Sequence, residues 1–135
     1  MNKVLVDTSV WSLALRRPDA REPTEHVRVL SRIITDHRAV LIGPVRQEIL
    51  SGMRNSNQFT ELKERLRAFP DLPIQTEEYE TAAEYFNVCR GRGVQGSQTD
   101  FLICAVARAH GMPIFTTDND FRTFAEVIEI ELLDF

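Results

Sequence analysis

The chain has 135 residues, a length that suits one ordinary domain with a core of its own. Its 43% hydrophobic and 27% charged residues are typical of a folded globular protein and exclude a disordered or fibrous chain. No apolar run approaches the ~20 residues needed to cross a bilayer, and the apolar start is too short for a signal peptide. We therefore expect a cytoplasmic protein with no membrane partner.

The predicted elements alternate between short aliphatic runs and longer amphipathic segments. Residues 3–6 form the first predicted strand and lead into a short helix around Trp11. A helix with a regular apolar stripe follows over residues 24–37. After a second strand, a third helix begins at Gly43 and Pro44, since proline suits the first helical turn.

The second half of the chain continues this alternation. Ser56 is expected to cap a fourth helix, Thr76 to begin a fifth, and Ser97 to cap a sixth that ends at Gly111. The remaining predicted elements are strands at residues 39–42, 113–116 and 127–133 and a short helix at 119–125. Helices between strands require crossover connections, so we predict an α/β fold with a mainly parallel sheet.

Four acidic residues stand at notable positions in this pattern. Asp7 follows the first predicted strand and Asp118 follows a later one, so both should lie at the sheet edge where parallel sheets bind ligands. Asp100 comes three residues after the predicted cap Ser97, and the helix dipole there should keep its carboxylate ionised. Glu48 lies in the predicted third helix.

Each acid also has an ordinary structural explanation, as a helix cap or a solvated helix residue. Together at one edge they favour a metal site, because carboxylates ~4 Å apart repel by roughly 4 kcal/mol per pair at an effective dielectric constant of 20. A hard divalent cation such as Mg²⁺ or Mn²⁺ prefers oxygen ligands and relieves that repulsion. Such ions support the hydrolysis of phosphodiester bonds.

The charge balance permits a nucleic-acid partner. The formal net charge is −4, which by itself argues against one. Without the four candidate ligands, however, 16 acidic residues stand against 16 lysines and arginines. Cys89 and Cys104 fall in apolar helical patterns and are expected to be buried, and the three histidines are scattered. A metal site of sulfur or imidazole ligands is therefore not predicted.

The order of these motifs resembles that of the PIN-domain ribonucleases, most closely the VapC-type toxins of bacterial toxin–antitoxin pairs. The resemblance spans the whole chain and rests on four features: a strand running into Asp7-Thr8-Ser9 with Trp11 nearby, a helical Glu48, an apolar helix beginning at Asp100, and the closing Thr116-x-Asp118-x-Asp120-Phe121. It implies a single three-layer α/β/α domain over residues 1–135 with four to five strands.

The resemblance also implies an activity, a metal and partners. Asp7, Glu48, Asp100 and Asp118 would bind Mg²⁺ or Mn²⁺ in a metal-dependent endoribonuclease, and Asp120 could share or take over the role of Asp118. The substrate would be transfer, ribosomal or messenger RNA, and the partners a cognate antitoxin and a second copy of the chain. The residues whose hydroxyls match positions that support the acids are Thr8, Ser9 and Thr116.

Arginines near the acids are candidates for RNA contacts. Residues 91–96 match the pattern GxGxxG, but they follow a helix where a dinucleotide site needs a strand, so we interpret them as a connection between helices. Arginine suits bidentate contacts with phosphate. The arginines predicted to contact RNA are Arg90, Arg92, Arg16, Arg17, Arg46 and Arg54.

Two other phosphate-handling folds are disfavoured. A phosphatase of the haloacid-dehalogenase type needs a second aspartate two positions after Asp7, where this chain has Ser9. A receiver domain needs an acidic pair at the first strand and a lysine near the end, whereas the last lysine here is Lys63. A catalytically silent PIN-like module that binds RNA or protein stays open, although the presence of all four acids argues against it.

Overall fold

A computed structural model describes residues 2–15 and 24–135. Within them, a three-stranded parallel sheet has the order β2-β1-β3. Its strands are β1 (Val4–Val6), β2 (Ala39–Val40) and β3 (Ile114–Phe115). The chain leaves β1 toward β2 on one side and later returns to β3 on the other side. The carboxyl ends of β1 and β3 therefore flank the point where the strand order reverses.

Seven helices accompany the sheet in the described part of the chain. Helix α1 directly follows β1, α3 directly follows β2, and α5 and α6 form the pair that precedes β3. Their bounds are α1 (Thr8–Leu15), α2 (Glu25–Thr35), α3 (Gly43–Leu50), α4 (Ser56–Leu66), α5 (Thr76–Gly91), α6 (Gln98–His110) and α7 (Asp120–Ala125). None of them combines the length and the apolar character that a bilayer-spanning helix needs.

The core surrounds β1 and α6. All three residues of β1 are buried although successive side chains point to opposite faces, so both faces of the sheet are covered there. Helix α6 is buried at each of residues 101–107, and it packs against β1, β3 and α5. Cys89 and Cys104 are buried free thiols, as predicted. Burial raises the pKa of the Cys104 thiol, so it stays protonated.

The predicted strand at residues 127–133 is wrong. That segment meets the sheet only in an isolated bridge between Ile114 and Leu132. Its backbone hydrogen bonds to the sheet both involve Ile114, one from the Ile114 N–H to the carbonyl of Glu131 and one from the Leu133 N–H. The segment therefore pairs with β3 at one position, whereas β1 pairs with β3 at two. The prediction of four to five strands is corrected to three strands within residues 2–15 and 24–135.

Helix capping was predicted correctly at α6 and wrongly at α4. The Ser97 hydroxyl accepts a hydrogen bond from the N–H of Asp100, and α6 ends at Gly111 in the left-handed region, with φ of 63°. At α4 the cap is Asn55, whose side chain accepts from two backbone N–H groups of the first turn. Ser56 is the first residue of that helix. Both residue types are good caps, so composition alone did not distinguish the two positions.

Candidate active site

Asp7 is the buried carboxylate at the end of β1, with only 5% of its surface exposed. Its Oδ2 accepts a hydrogen bond of 2.8 Å from the Ser9 hydroxyl and one of 2.7 Å from the Thr116 hydroxyl. Burial raises the pKa of Asp7, and the hydrogen bonds from Thr116 and Ser9 act in the opposite direction. The carboxylate is thus fixed in position, and a positive charge beside it would favour its ionised form.

Backbone groups from both strand ends complete this arrangement. The Asp7 N–H donates to the carbonyl of Phe115 at 2.8 Å, which ties the ends of β1 and β3 together. The N–H of Thr117 donates to the Ser9 hydroxyl, and the N–H of Asp118 donates to the Thr116 hydroxyl, both at 3.0 Å. Each hydroxyl can therefore accept from the backbone while it donates to Asp7. The sequence carries no side-chain signal for these two backbone donors, and sequence reasoning missed them.

Asp118 and Asp120 differ in their surroundings. Asp118 is half-buried just after β3, and its Oδ1 accepts a hydrogen bond of 2.9 Å from the N–H of Asp120. Asp120 is exposed in the first turn of α7. Asp118 is thus the less exposed of the two acids, its charge contributes to the raised pKa of Asp100, and the backbone N–H of Asp120 holds its side chain.

Asp100 lies in the first turn of α6 and is half-buried. It forms a capping box with Ser97, in which the N–H of Asp100 donates to the Ser97 hydroxyl at 3.0 Å and the N–H of Ser97 donates to Asp100 Oδ2 at 3.2 Å. Burial raises the pKa of Asp100 to about 6, and the charges of Asp7 and Asp118 add to the rise. The hydrogen bonds with Ser97 act in the opposite direction, and a group with a pKa of about 6 is still mostly ionised at neutral pH. The expectation that the start of α6 keeps Asp100 ionised therefore stays a prediction.

Glu48 lies at the rim of the cluster. It is exposed on α3, and its Oε1 accepts a hydrogen bond of 2.7 Å from the hydroxyl of Thr8, the residue that follows Asp7. All three hydroxyls chosen from the sequence thus donate to a candidate acid: Thr8 to Glu48, and Ser9 and Thr116 to Asp7.

The donor set fits a hard divalent cation, but its geometry is not that of an assembled metal site. Every candidate ligand offers oxygen, which Mg²⁺ and Mn²⁺ prefer. Asp7, Asp100 and Asp118 lie close enough for the charges of two to raise the pKa of the third, which is the repulsion a cation would relieve. Within residues 2–15 and 24–135, however, no three Asp, Glu, His or Cys side chains come together closely enough to hold an ion.

The candidate RNA-binding arginines fall into three groups. Arg46 is an ion-pair partner of Asp71, at 2.9 Å, and also donates to the carbonyls of Leu66 and Phe69. It therefore ties α3 to the last residue of α4 and to the segment that follows. Arg90 and Arg92 are exposed at the end of α5, and Arg54 is exposed between α3 and α4. The two remaining candidates lie outside the described residues: Arg16 and Arg17.

The fold and the acidic sheet edge define an α/β protein of the PIN class. A model of the PIN domain family matches residues 4–127, which is most of the chain. The chain belongs to the PIN domain family.

Within that family, the chain is similar over nearly its whole length to VapC proteins. A VapC ribonuclease of Mycobacterium bovis is 30% identical over 134 residues, which cover 98% of each chain. The ribonuclease VapC11 of Mycobacterium tuberculosis shows the same identity and the same coverage. These relatives agree with the VapC-type resemblance drawn from the motifs.

Solved structures share the fold at lower identity. FitAcB from Neisseria gonorrhoeae superposes with a TM-score of 0.73 at 22% identity, over 97% of this chain and 96% of that one. VapBC2 from Rickettsia felis, solved bound to a DNA fragment from its promoter, gives a TM-score of 0.72 at 14% identity over 98% of both chains. At these identities the likeness concerns the fold alone.

Proposed function

We propose that this protein is an endoribonuclease that cleaves RNA phosphodiester bonds with the help of Mg²⁺ or Mn²⁺. The observation that carries the proposal is the convergence of Asp7, Asp100 and Asp118. Burial raises the pKa of Asp100 to about 6, and the charges of Asp7 and Asp118 add to that rise. The full-length relatives named as VapC ribonucleases support it. It would act in the cytoplasm, where RNA is available, as one domain over residues 1–135.

The proposed roles of the acidic side chains differ with their positions in the site. Asp7, fixed by two hydroxyls, and Asp100, fixed by its capping box, would supply most of the affinity for the cation. Glu48 and Asp118 would orient water or a second ion at the phosphate. When bound, the cation would neutralise the charge that builds on the phosphate and make a bound water more acidic. Arg90 and Arg92 are exposed beside the Asp100 end of α6 and would contact RNA phosphates.

A cleavage assay with defined RNAs tests this proposal. Purified protein is incubated with transfer, ribosomal and messenger RNA in the presence of Mg²⁺, Mn²⁺ or a chelator. We expect cleavage only with a divalent ion. Asp7→Asn should lower the rate by at least about a hundredfold, because it removes a charged ligand while keeping the hydrogen-bond acceptor. Asp134→Asn, an exposed acid near the end of the chain, serves as the matched control. Cleavage by Asp7→Asn at the wild-type rate would refute the assignment.

A second candidate function is a PIN-like module that binds RNA or protein without cutting. The observation that favours it is that no three acids are assembled into an ion-holding group in the part of the chain the structure describes. The same assay separates the two functions. RNA binding without products under both metals would support the silent module, and products that disappear with chelator would exclude it.

We also propose that the protein is the toxin of a toxin–antitoxin pair and forms a homodimer. The support is its similarity to VapC proteins, together with the structural neighbours whose names pair VapB with VapC. The antitoxin would be a small protein encoded beside this chain. Co-expression with the product of the adjacent reading frame should give a stable complex with reduced cleavage, and the mass of the protein purified alone reports its oligomeric state.

A further inference from the structure

A small cavity of about 230 Å³ lies where α5 turns into α6. The residues that line it are Phe86, Arg90, Val94, Gln95 and Gly96. Gly96 directly precedes Ser97, which holds Asp100 through both its hydroxyl and its N–H. The cavity therefore borders the residue that precedes the capping box of Asp100.

The wall of this cavity is held in place by backbone contacts. The N–H of Val94 donates to the carbonyl of Cys89 at 2.8 Å, and the N–H of Gly93 donates to that of Arg90 at 3.0 Å. At Gly96 the chain passes so close to the aromatic core that an added Cβ would lie 2.5 Å from the Phe124 ring and 3.0 Å from the Phe101 ring. Gln95 thus extends from a connection whose path is fixed, and Arg90 extends from the last turn of α5.

The aromatic wall links the cavity to the acidic cluster. The ring of Phe86 packs edge-to-face on Phe101, with centroids 5.7 Å apart, and Phe101 is the residue after Asp100. A ligand against Phe86 would rest on the same packed unit that positions Asp100. Among the residues that the structure describes, none that lines the cavity is acidic, and Arg90 contributes a cation, so the surroundings suit a ligand attached to a negatively charged backbone.

We propose that this cavity receives an unpaired nucleobase of the RNA beside the phosphate that is cut, and so sets the cleavage preference. This inference rests on the proposed ribonuclease function. Unpaired bases are recognised by aromatic contacts, by arginine planes and by hydrogen bonds to the base edge. Phe86 supplies the aromatic contact, Arg90 the cation, and the Gln95 amide a donor and an acceptor that can read a base edge.

The test compares Gln95→Ala and Arg90→Gln with the wild type on one set of RNAs that vary at every position around the cut. Gln95→Ala should relax the preference at a single nucleotide position about tenfold. Arg90→Gln should raise KM about tenfold and leave kcat within a factor of about two, since it removes a contact to bound RNA and not a ligand of the site. The matched control is Arg32→Gln, in the last turn of α2. Helix α2 leads into the amino end of β2, so Arg32 lies at the sheet edge opposite to the acids.

The outcomes separate this inference from the ribonuclease proposal. If the wild type cleaves and both variants keep its site preference and KM, the base-binding cavity is refuted while the nuclease stands. If the wild type cuts no RNA with either ion, the nuclease is refuted. In that case, the binding of labelled single-stranded oligonucleotides in the presence of chelator tests whether the cavity receives a base. A base preference in binding that Gln95→Ala removes supports it, and binding unchanged in Gln95→Ala overturns it.

Discussion

The carboxyl of Asp100 is harder to ionise in the folded protein than in the unfolded chain. Its pKa rises from an ordinary 3.8 to about 6, through burial first and then through the charges of Asp7 and Asp118. The folded state therefore binds more protons than the unfolded state between these two values. The free energy of unfolding falls as the pH rises through this window, and the full penalty is present above it.

Replacing Asp100 by asparagine should therefore stabilise the metal-free protein at neutral pH. Two pKa units correspond to ~3 kcal/mol, and solvent screening of this half-exposed group reduces the expected gain to roughly 1 kcal/mol. The amide oxygen can still accept from Ser97, so the capping box survives. Urea unfolding in chelator should show the gain at about pH 7.5 and none near pH 4. Asp134→Asn is the control, and an equal gain at both pH values would contradict the explanation.

The Thr116 hydroxyl should control how easily Asp7 ionises. Thr116→Val keeps the shape of the side chain and removes its hydrogen bond to Asp7, so the pKa of Asp7 should rise further. The loss of a hydrogen bond to a charged group, about 1.5–3 kcal/mol, predicts a fall in cleavage rate of about tenfold or more. The acid limb of the pH–rate profile should move to higher pH.

A matched variant separates this effect from a general loss of a threonine hydroxyl. The Thr35 hydroxyl donates to the carbonyl of Ser31 within α2, away from the acids. Thr35→Val should leave the cleavage profile unchanged. An acid limb that does not move in Thr116→Val would mean that the hydroxyl does not tune Asp7.

At the residue scale, the sequence allowed the positions of the acids to be predicted better than their protonation. Asp7 and Asp118 follow strands, so their common edge could be predicted from the rule for parallel sheets. The pKa of Asp100 could not be predicted from the sequence, because it depends on burial and on charges that the fold brings close. The partner of Arg46 could not be predicted either. The sequence suggested an RNA contact, whereas in the fold Arg46 pairs with Asp71, which lies 25 positions away in the chain.

At the scale of helices and strands, the turn from α5 to α6 has a strict steric requirement at Gly96. The Cβ of an alanine at position 96 would overlap the buried rings of Phe124 and Phe101. Gly96→Ala should lower the free energy of unfolding by about 1–3 kcal/mol, the usual cost of overpacking. Chemical denaturation measures the change.

Gly91→Ala is the matched control for this effect. A Cβ at Gly91 would meet nothing within 4 Å, and the residue ends α5, so the change should be neutral or slightly stabilising. Equal losses in the two variants would show that chain flexibility, and not the contact with the rings, explains the requirement for glycine.

Sequence patterns predicted the existence of the elements better than their membership of the sheet. The helices at Ser97 and Thr76 could be placed from caps and acidic first turns, which are local signals. The strand at residues 127–133 could not be tested locally, since whether a segment forms a ladder depends on the strand that the fold brings beside it. Next to β3 this segment forms a single bridge, between Ile114 and Leu132.

For the molecule as a whole, a divalent ion should raise thermal stability. An ion that binds only the folded state adds about 2.7 kcal/mol at a concentration 100 times its Kd. Mg²⁺ and Mn²⁺ should therefore raise Tm in the wild type and in Asp134→Asn. Asp7→Asn and Asp100→Asn should lose most of this shift, because each removes one of the converging charges. An undiminished shift in both would place the ion elsewhere.

The hydrogen bond between Thr116 and Asp7 joins two residues 109 positions apart. During synthesis Asp7 is therefore made 109 residues before Thr116. A growing chain carries an incomplete cluster of acids until the segment with Thr116 and Asp118 has been added. If the protein cuts RNA as proposed, its own messenger and the ribosome that reads it are spared until then.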